Sequence, residues 1–206
     1  MKYKFCVSGT ADGTIATNKA KEKIVELGRE IIKQNGVLVN GATSGAPHWA
    51  LEGAKKEKGF AIGISPASSE LEHIKKYRLP IDDYDMIIYT GFGYSGRNLL
   101  LTRSSDAVII VSGRMGTLNE FTIAFEDDKP IGVLTETGGT ADIVEGIVKS
   151  SRRGLGRIVY ESDPKKLVSK LKKLIAKDKV TAKELEEFRV NPKLNWTKEK
   201  LKENSK

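Results

Sequence analysis

Apolar and polar residues follow two different spacings along the chain, and the two spacings alternate. Short runs rich in Val and Ile are apolar on both faces, which is typical of parallel strands covered by helices on each side. Between them, apolar residues recur every three or four positions, which predicts helices. The predicted strands are Lys4–Ser8, Val37–Asn40, Phe60–Ser65, Met86–Thr90, Asp106–Val111, Ile131–Thr135 and Arg157–Tyr160. The predicted helices are Thr17–Gln34, Pro47–Lys58, Gly96–Ser104, Thr117–Glu126, Thr140–Lys149 and Pro164–Ala176.

This alternation of strands and helices predicts the fold class. We expect a Rossmann-like, doubly wound α/β fold, with a mainly parallel sheet of about seven strands and helices on both faces. Residues 1–178 are predicted to form a single domain, followed by a basic, polar tail, helical or disordered, over 179–206. In the first helix, one apolar stripe is formed by Ile24, Leu27, Ile31 and Ile32. Gly36 is predicted as the left-handed residue that ends this helix.

Composition and charge narrow the possible functions. Residues 164–206 hold 14 of the 35 basic and 6 of the 27 acidic residues, so this segment carries the whole net charge of +8. A nucleic-acid role would have to lie there, but only Phe188 and Trp196 could stack on bases, so we consider such a partner unfavoured. The lone Cys6 is predicted to be a core residue, and His48 and His73 lack metal-ligand spacing, so we expect no metal site. No apolar run approaches the roughly 20 residues of a membrane span. We therefore expect a cytoplasmic protein without a membrane partner.

Glycine-rich loops follow several of the predicted strands. In a doubly wound sheet, ligands bind at the carboxyl ends of the strands. These loops would therefore share one edge of the sheet. They are Gly9–Thr14, Gly41–Ala46, Gly91–Gly96 and Ser112–Thr117.

The segment Asp106–Glu120 carries the strongest chemical signal. An apolar strand breaks into the loop Ser112–Thr117 and then begins a helix, a junction whose unpaired backbone N–H groups favour phosphate. Glu120 follows one turn into that helix as a potential catalytic acid. The same residues also spell a capping box, in which Thr117 caps the helix and Glu120 returns the bond. Both interpretations remain open at this point.

Two further features sharpen the search for a cofactor. Gly91–Gly96 spells the G-x-G-x-x-G fingerprint of dinucleotide sites, but it lies mid-chain and lacks an acid at the end of the next strand, which disfavours NAD. No P-loop sequence occurs.

Arg97 follows the loop Gly91–Gly96 near a helix start, where a cation is unfavourable unless an anion balances it. The alternative is that Arg97 is simply exposed.

These residues together resemble the LONELY GUY (LOG) family, whose members were long taken for lysine decarboxylases. The family hallmark PGGxGTxxE falls on Ser112–Glu120, and its Arg-Lys pair falls on Arg97 and Asn98 at the same spacing to Asp106. Its earlier glycine-rich loop looks like Asn40–His48. The resemblance covers roughly residues 4–160. Lysine decarboxylation itself is disfavoured, because nothing marks a lysine that would bind pyridoxal phosphate.

The resemblance implies hydrolysis of the N-glycosidic bond of AMP or an N6-modified AMP of the cytokinin type, releasing the base and ribose 5-phosphate. Glu120 and Arg97 would then be catalytic, and no cofactor would be required. The remaining site residues would bind the AMP-like ligand and its phosphate: Ser8, Gly9, Thr10, Gly41, Gly45, Asn98, Gly113, Arg114, Met115, Gly116 and Thr117. The resemblance also implies a homodimer or larger homo-oligomer. Phe121, Ile123, Ala124 and Phe125 would supply either that contact or the core.

The chain departs from the family pattern at Ser112, Arg114 and Asn98, which replace Pro, Gly and Lys. Arg114 would either add a charge to the phosphate or fill the site with its side chain. These changes bring the chain towards the broader LOG-like group, which includes molybdenum-cofactor carrier proteins. A carrier that binds a nucleotide-like ligand without chemistry is therefore the alternative to the hydrolase.

Overall fold

The computed structural model describes residues 1–13, 17–181 and 183–186. Within them the strands are β1 (Tyr3–Gly9), β2 (Gly36–Asn40), β3 (Ala61–Ser65), β4 (Met86–Tyr89), β5 (Ala107–Val111), β6 (Ile131–Leu134) and β7 (Ile158–Glu161). The helices are α1 (Asn18–Lys33), α2 (Ala46–Lys56), α3 (Glu70–Lys75), α4 (Gly93–Ser104), α5 (Met115–Glu126), α6 (Thr140–Ser151) and α7 (Pro164–Ala176).

The strands form one sheet in the order β4-β3-β2-β1-β5-β6-β7, and every pair is parallel. This confirms the predicted doubly wound α/β fold. The chain first builds outward from β1 through β2 and β3 to β4. It then returns to place β5 beside β1, in a register that sets Phe5 against Ala107 and Gly9 against Val111. The strand order therefore reverses between β1 and β5.

Two apolar clusters cover the two faces of the sheet. One packs residues of α1, α2 and α7, such as Ile24, Leu51 and Leu171, against β1 and β2. The other packs residues of α4, α5 and α6 against the opposite face, and it includes Cys6, as predicted. Phe121 and Ala124 also lie in this second cluster. The structure thus places those two in the core rather than on a surface open to a second copy.

The structure differs from the sequence predictions at the ends of two helices and in one additional helix. Helix α1 ends with Asn35 in the left-handed conformation, at φ 63°, so Gly36 is not its terminal residue but the first of β2. Helix α3 was not predicted from the sequence. Helix α4 begins at Gly93, so the last four residues of the supposed fingerprint loop Gly91–Gly96 form its first turn.

Met1–Ile175 forms one compact unit, and a second unit begins at Ala176. In the second, Thr181 Oγ1 accepts from the backbone N–H of Glu184 at 3.2 Å, which caps the helical turn at 183–186. The predicted tail over 179–206 lies mostly outside the described residues, as does Thr14 of the first glycine-rich loop. No helix in the described part of the chain combines the length and apolar character that a membrane crossing requires.

Candidate functional site

A cleft of about 190 Å³ opens where the strand order reverses. The chain leaves β1 towards β2 on one side and leaves β5 towards β6 on the other, so the two loops diverge and leave a crevice. Residues after β1, the start of α2, one face of α4 and the start of α5 form its walls. The lining residues are Val7, Ser8, Gly9, Thr10, Ala11, Gly41, Thr43, Pro47, Tyr94, Arg97, Asn98, Leu101, Arg114, Gly116, Thr117 and Glu120.

Most of the residues proposed from the sequence are brought together here. Gly45, Gly113 and Met115 are not among the lining residues, and the Met115 side chain is exposed. Gly45 and Gly113 instead shape the loops, since both have positive φ, at 70° and 110°. At both positions glycine allows the backbone to turn in a conformation that would be strained with an L side chain.

The start of α5 presents its backbone to the cleft. Its hydrogen-bond ladder opens with Leu118 N–H donating to the Arg114 carbonyl oxygen at 3.0 Å. The N–H groups of Met115, Gly116 and Thr117 precede this ladder and point out of the helix terminus, where the helix dipole favours an anion. A Cβ built on Gly116 meets nothing within 4 Å, so the cleft is open beside this turn.

The capping-box interpretation is wrong. Arg114 is the N-cap residue of α5 and makes no side-chain capping bond. Thr117 therefore lies inside the first turn, three residues further along the helix than the motif requires. Glu120 does not return to the backbone; its Oε2 accepts a hydrogen bond from Ser8 Oγ. The T-x-x-E residues therefore do not cap the helix. Thr117 and Glu120 both line the cleft instead.

Arg97 is buried, so it is not the exposed arginine of the simpler interpretation. Its Nη1 lies 3.8 Å from Glu120 Oε1, and both side chains are only 7% exposed. A Cβ at Gly41 would overlap this Nη1, so the absent side chain of Gly41 makes room for the guanidinium. The Nε of Arg97 is buried without a hydrogen-bond partner among the described residues. Buried donors are nearly always paired, so an orphaned one beside a cleft indicates a missing acceptor.

The Asn98 amide completes the surroundings of Glu120. In one orientation Nδ2 donates to Asn119 Oδ1 at 2.9 Å. In the other, Nδ2 donates to Glu120 Oε1 at 2.8 Å and to the Tyr94 carbonyl at 3.0 Å. We adopt the second, because it gives Nδ2 two acceptors in place of one. Asn98 therefore holds the carboxylate, whereas the sequence suggested that it binds phosphate.

Burial raises the pKa of the Glu120 carboxyl, and the neighbouring Arg97 and the Ser8 hydrogen bond lower it less than burial raises it. Behind it, burial and then the Glu120 charge raise the pKa of the Cys6 thiol, which keeps that thiol neutral. A desolvated carboxylate of raised pKa in a cleft is typical of groups that exchange protons.

Sequence reasoning missed the aromatic wall. Tyr94 lines the cleft, stacks edge-on against Tyr77 with ring centroids 5.5 Å apart, and lies 5.8 Å from the Arg97 guanidinium carbon. Its spacing of three residues from Arg97 places both on one helix face, a signal that was hidden because residues 91–96 were assigned to a loop. The described residues contain no cluster of three or more His, Cys, Asp or Glu side chains suited to a metal.

Arg114 lies on the rim of the cleft. Its side chain is 60% exposed, and Nη1 lies 3.6 Å from Oδ2 of Asp12 in the loop after β1. Arg114 thus extends towards the opposite loop.

Similarity to solved structures agrees with this architecture. The molybdenum cofactor binding protein of Rippkaea orientalis is 29% identical with a TM-score of 0.70, over 85% of this chain and 98% of that one. The molybdenum cofactor carrier protein of Chlamydomonas reinhardtii is 26% identical with a TM-score of 0.69, over 85% and 99%. These similarities support the predicted LOG-like Rossmann fold.

Sequence comparison gives the family. An uncharacterized protein of Archaeoglobus fulgidus is 34% identical over 106 residues, which span 51% of this chain and 64% of that relative. The chain thus matches less than two thirds of that relative's length. The family model described as the SLOG cluster4 family matches residues 2–168, which include every residue that lines the cleft. The chain belongs to the SLOG cluster4 family.

Proposed function

We propose that the chain binds a nucleoside 5′-monophosphate in the cleft between β1 and β5 and hydrolyses its N-glycosidic bond. The observation that carries the binding is the orphaned Nε of Arg97, buried beside a cleft that also receives the first amides of α5. Both features present donors without acceptors, and a phosphorylated ligand supplies acceptors.

The phosphate is assigned to the first turn of α5. The N–H groups of Met115, Gly116 and Thr117 and the Thr117 hydroxyl are the donors, with the helix dipole behind them. Tyr94, Pro47 and Leu101 line the same cleft and supply apolar area for a base. The ribose would then lie between these two regions, facing Glu120.

The proposed reaction uses the Arg97–Glu120 pair. The bond between C1′ and the base nitrogen breaks, water oxygen forms the new bond to C1′, and the departing base takes up a proton. Ionised Glu120 stabilises the positive charge that develops at C1′ and accepts a proton from the attacking water. Its raised pKa makes it a better proton acceptor than an exposed carboxylate. Arg97 stabilises negative charge on the phosphate or on the leaving base.

A carrier function is the second candidate, and two observations favour it. The proteins of Rippkaea orientalis and Chlamydomonas reinhardtii bind or carry the molybdenum cofactor, as their names state, and they match 85% of this chain. In addition, both carboxylate oxygens of Glu120 already accept hydrogen bonds, from Ser8 and from Asn98. A carboxylate with a hydrogen bond on each oxygen suits a rigid binding site as well as a catalytic one.

Product analysis separates the two candidates. The chain is incubated with AMP and N6-alkyl AMP, and released base is measured by liquid chromatography. We expect free base and ribose 5-phosphate from the wild type, and AMP binding without base release from Glu120→Ala. Turnover of Glu120→Ala at the wild-type rate would remove Glu120 from the mechanism. Binding by the wild type without turnover across a panel of nucleotides would favour the carrier.

A glycine pair tests the position of the phosphate. A Cβ at Gly116 or at Gly146 meets nothing within 4 Å, and both residues lie in helices, but only Gly116 lines the cleft. Each Gly→Ala change should stabilise its helix by up to about 1 kcal/mol. Only Gly116→Ala should weaken AMP binding, because its methyl group enters the cleft beside the α5 amides. Equal affinities for both variants would place the phosphate elsewhere.

A further inference from the structure

Asp12 and Arg114 form an ion pair across the mouth of the cleft, which we call the rim pair. Asp12 lies in the loop after β1, where its backbone N–H donates to Thr10 Oγ1 at 3.1 Å. Arg114 is the N-cap residue of α5. The Nη1–Oδ2 distance of 3.6 Å links the two loops that diverge at the reversal of strand order.

Arg114 does not serve the helix that it precedes. Ser, Thr, Asp and Asn are favoured at the N-cap, because their side chains accept hydrogen bonds from the first amides. An arginine has no acceptor to offer, and its charge opposes the positive end of the helix dipole. A nearby anion is therefore favourable, and the Asp12 carboxylate provides one.

The rim pair is weak enough to exchange. Its side chains are 60% and 35% exposed, and an ion pair in such surroundings contributes only about 0–1 kcal/mol. A phosphate on the first amides of α5 would lie beside Arg114, which lines the same cleft as Gly116 and Thr117. It would offer the guanidinium several charged acceptor oxygens where Asp12 now offers one carboxylate at 3.6 Å.

We propose that Asp12 and Arg114 form an exchangeable latch, in which the phosphate of the ligand displaces Asp12 from Arg114. This inference rests on the proposed binding of a nucleoside monophosphate. It assigns Arg114 as an affinity-determining residue and Asp12 as its internal competitor. Arg114 therefore adds charge to the phosphate site and does not fill it. The two residues must then affect ligand affinity in opposite directions, which a purely structural ion pair would not do.

The test is a titration of the full chain with AMP, followed by NMR of the ligand, which reports the dissociation constant and any hydrolysis together. Asp12→Asn should tighten AMP binding by about threefold, the range expected for an exposed pair. Arg114→Gln should weaken it by about tenfold, as the loss of a charged hydrogen bond does. Arg114→Lys should recover part of that loss.

Arg103→Gln is the matched control. Arg103 is also 60% exposed and paired with a carboxylate, that of Asp127, and it does not line the cleft. Arg103→Gln removes one exposed positive charge, as Arg114→Gln does, and it should leave the AMP dissociation constant unchanged. Thermal unfolding midpoints close to that of the wild type would establish that each variant is folded.

The outcomes separate the latch from the proposed function. If wild type binds AMP but Asp12→Asn and Arg114→Gln change affinity in the same direction, or no more than Arg103→Gln, the latch is refuted alone. If wild type does not bind AMP, the proposed function and the latch fall together. Opposite shifts, with Arg103→Gln unchanged, support the latch whether or not base is released.

Discussion

The cleft contains two groups of charged and polar residues whose surroundings differ sharply. At its floor, Ser8, Arg97, Asn98 and Glu120 are all buried, and we call them the buried quartet. At its mouth, the rim pair of Asp12 and Arg114 faces solvent. Each group contains one arginine and one carboxylate at similar separations, 3.8 Å and 3.6 Å. Distance alone therefore does not distinguish them.

Burial determines what each group can do. Removing a charged group from water is costly. In the buried quartet, hydrogen bonds from Ser8 and Asn98 and the charge of Arg97 offset this cost for the Glu120 carboxylate. The rim pair loses little hydration and gains little attraction, so it can exchange partners. A single cleft thus combines a fixed set of charges at its floor with an exchangeable set at its entrance.

The largest effect is expected from Arg97→Met. It removes the only cation described near the Glu120 carboxylate and should lower the free energy of unfolding by about 3 kcal/mol, as breaking a buried pair does. Urea denaturation at neutral pH measures this loss. Arg103→Met, which removes an exposed pair, should cost less than about 1 kcal/mol. Similar losses for the two variants would contradict the distinction between buried and exposed pairs.

Gly41→Ala should have the next largest effect. The added Cβ would overlap Nη1 of Arg97, so the guanidinium must leave its position, at a cost of about 2 kcal/mol, as in other overpacked sites. Denaturation of the single and double variants with Arg97→Met measures the coupling between the two positions. The methyl group should cost clearly less when Met replaces Arg97. Additive losses would show that Gly41 is required for another reason.

Glu120→Gln should reveal the raised carboxyl pKa as a dependence of stability on pH. Because burial holds the pKa of Glu120 above its unfolded value, the folded state binds more protons between those two pKa values. The stabilisation that this proton uptake gives the folded state is then fully present below the unfolded pKa of Glu120. It is lost as pH rises through the folded pKa. Wild type should therefore lose stability relative to Glu120→Gln as pH rises through this window. A constant difference in unfolding free energy would argue against the raised pKa.

The smallest effect is expected from the rim pair. Arg114→Gln or Asp12→Asn should change the free energy of unfolding by less than about 0.5 kcal/mol, because exposed pairs contribute little. Thermal unfolding provides the measurement. A loss comparable to that of Arg97→Met would mean that the pair holds the two loops together, and the contrast with the buried quartet would disappear.

The sequence predicted the fold well because both signals it depends on are local. Apolar runs such as Val108–Val111 and the periodic spacing of α1 each report the burial of a segment without reference to other segments. Parallel strands also carry ligand loops to one edge by topology, so most of the lining residues were predictable from loop position. The cleft residues on β1, α4 and α5 follow directly from that reasoning.

Contacts between distant segments could not be predicted in the same way. Ser8 and Glu120 are 112 positions apart, so their hydrogen bond has no local signal. Thr117 and Glu120 matched a capping box because that motif describes spacing alone, while the burial that overrides it comes from β1 and α4. Asn35 took the left-handed conformation expected of Gly36, since asparagine also tolerates it and strand pairing begins at Gly36.

The missing side chain of Gly41 has a consequence for how this chain can change. A side chain at position 41 would displace the guanidinium of Arg97 from its position beside Glu120, so the packing at 41 and the position of that charge depend on each other. The two positions are therefore epistatic. A side chain at 41 should therefore be tolerated better in descendants of this chain that have also lost Arg97, and with it the charge at the floor of the cleft.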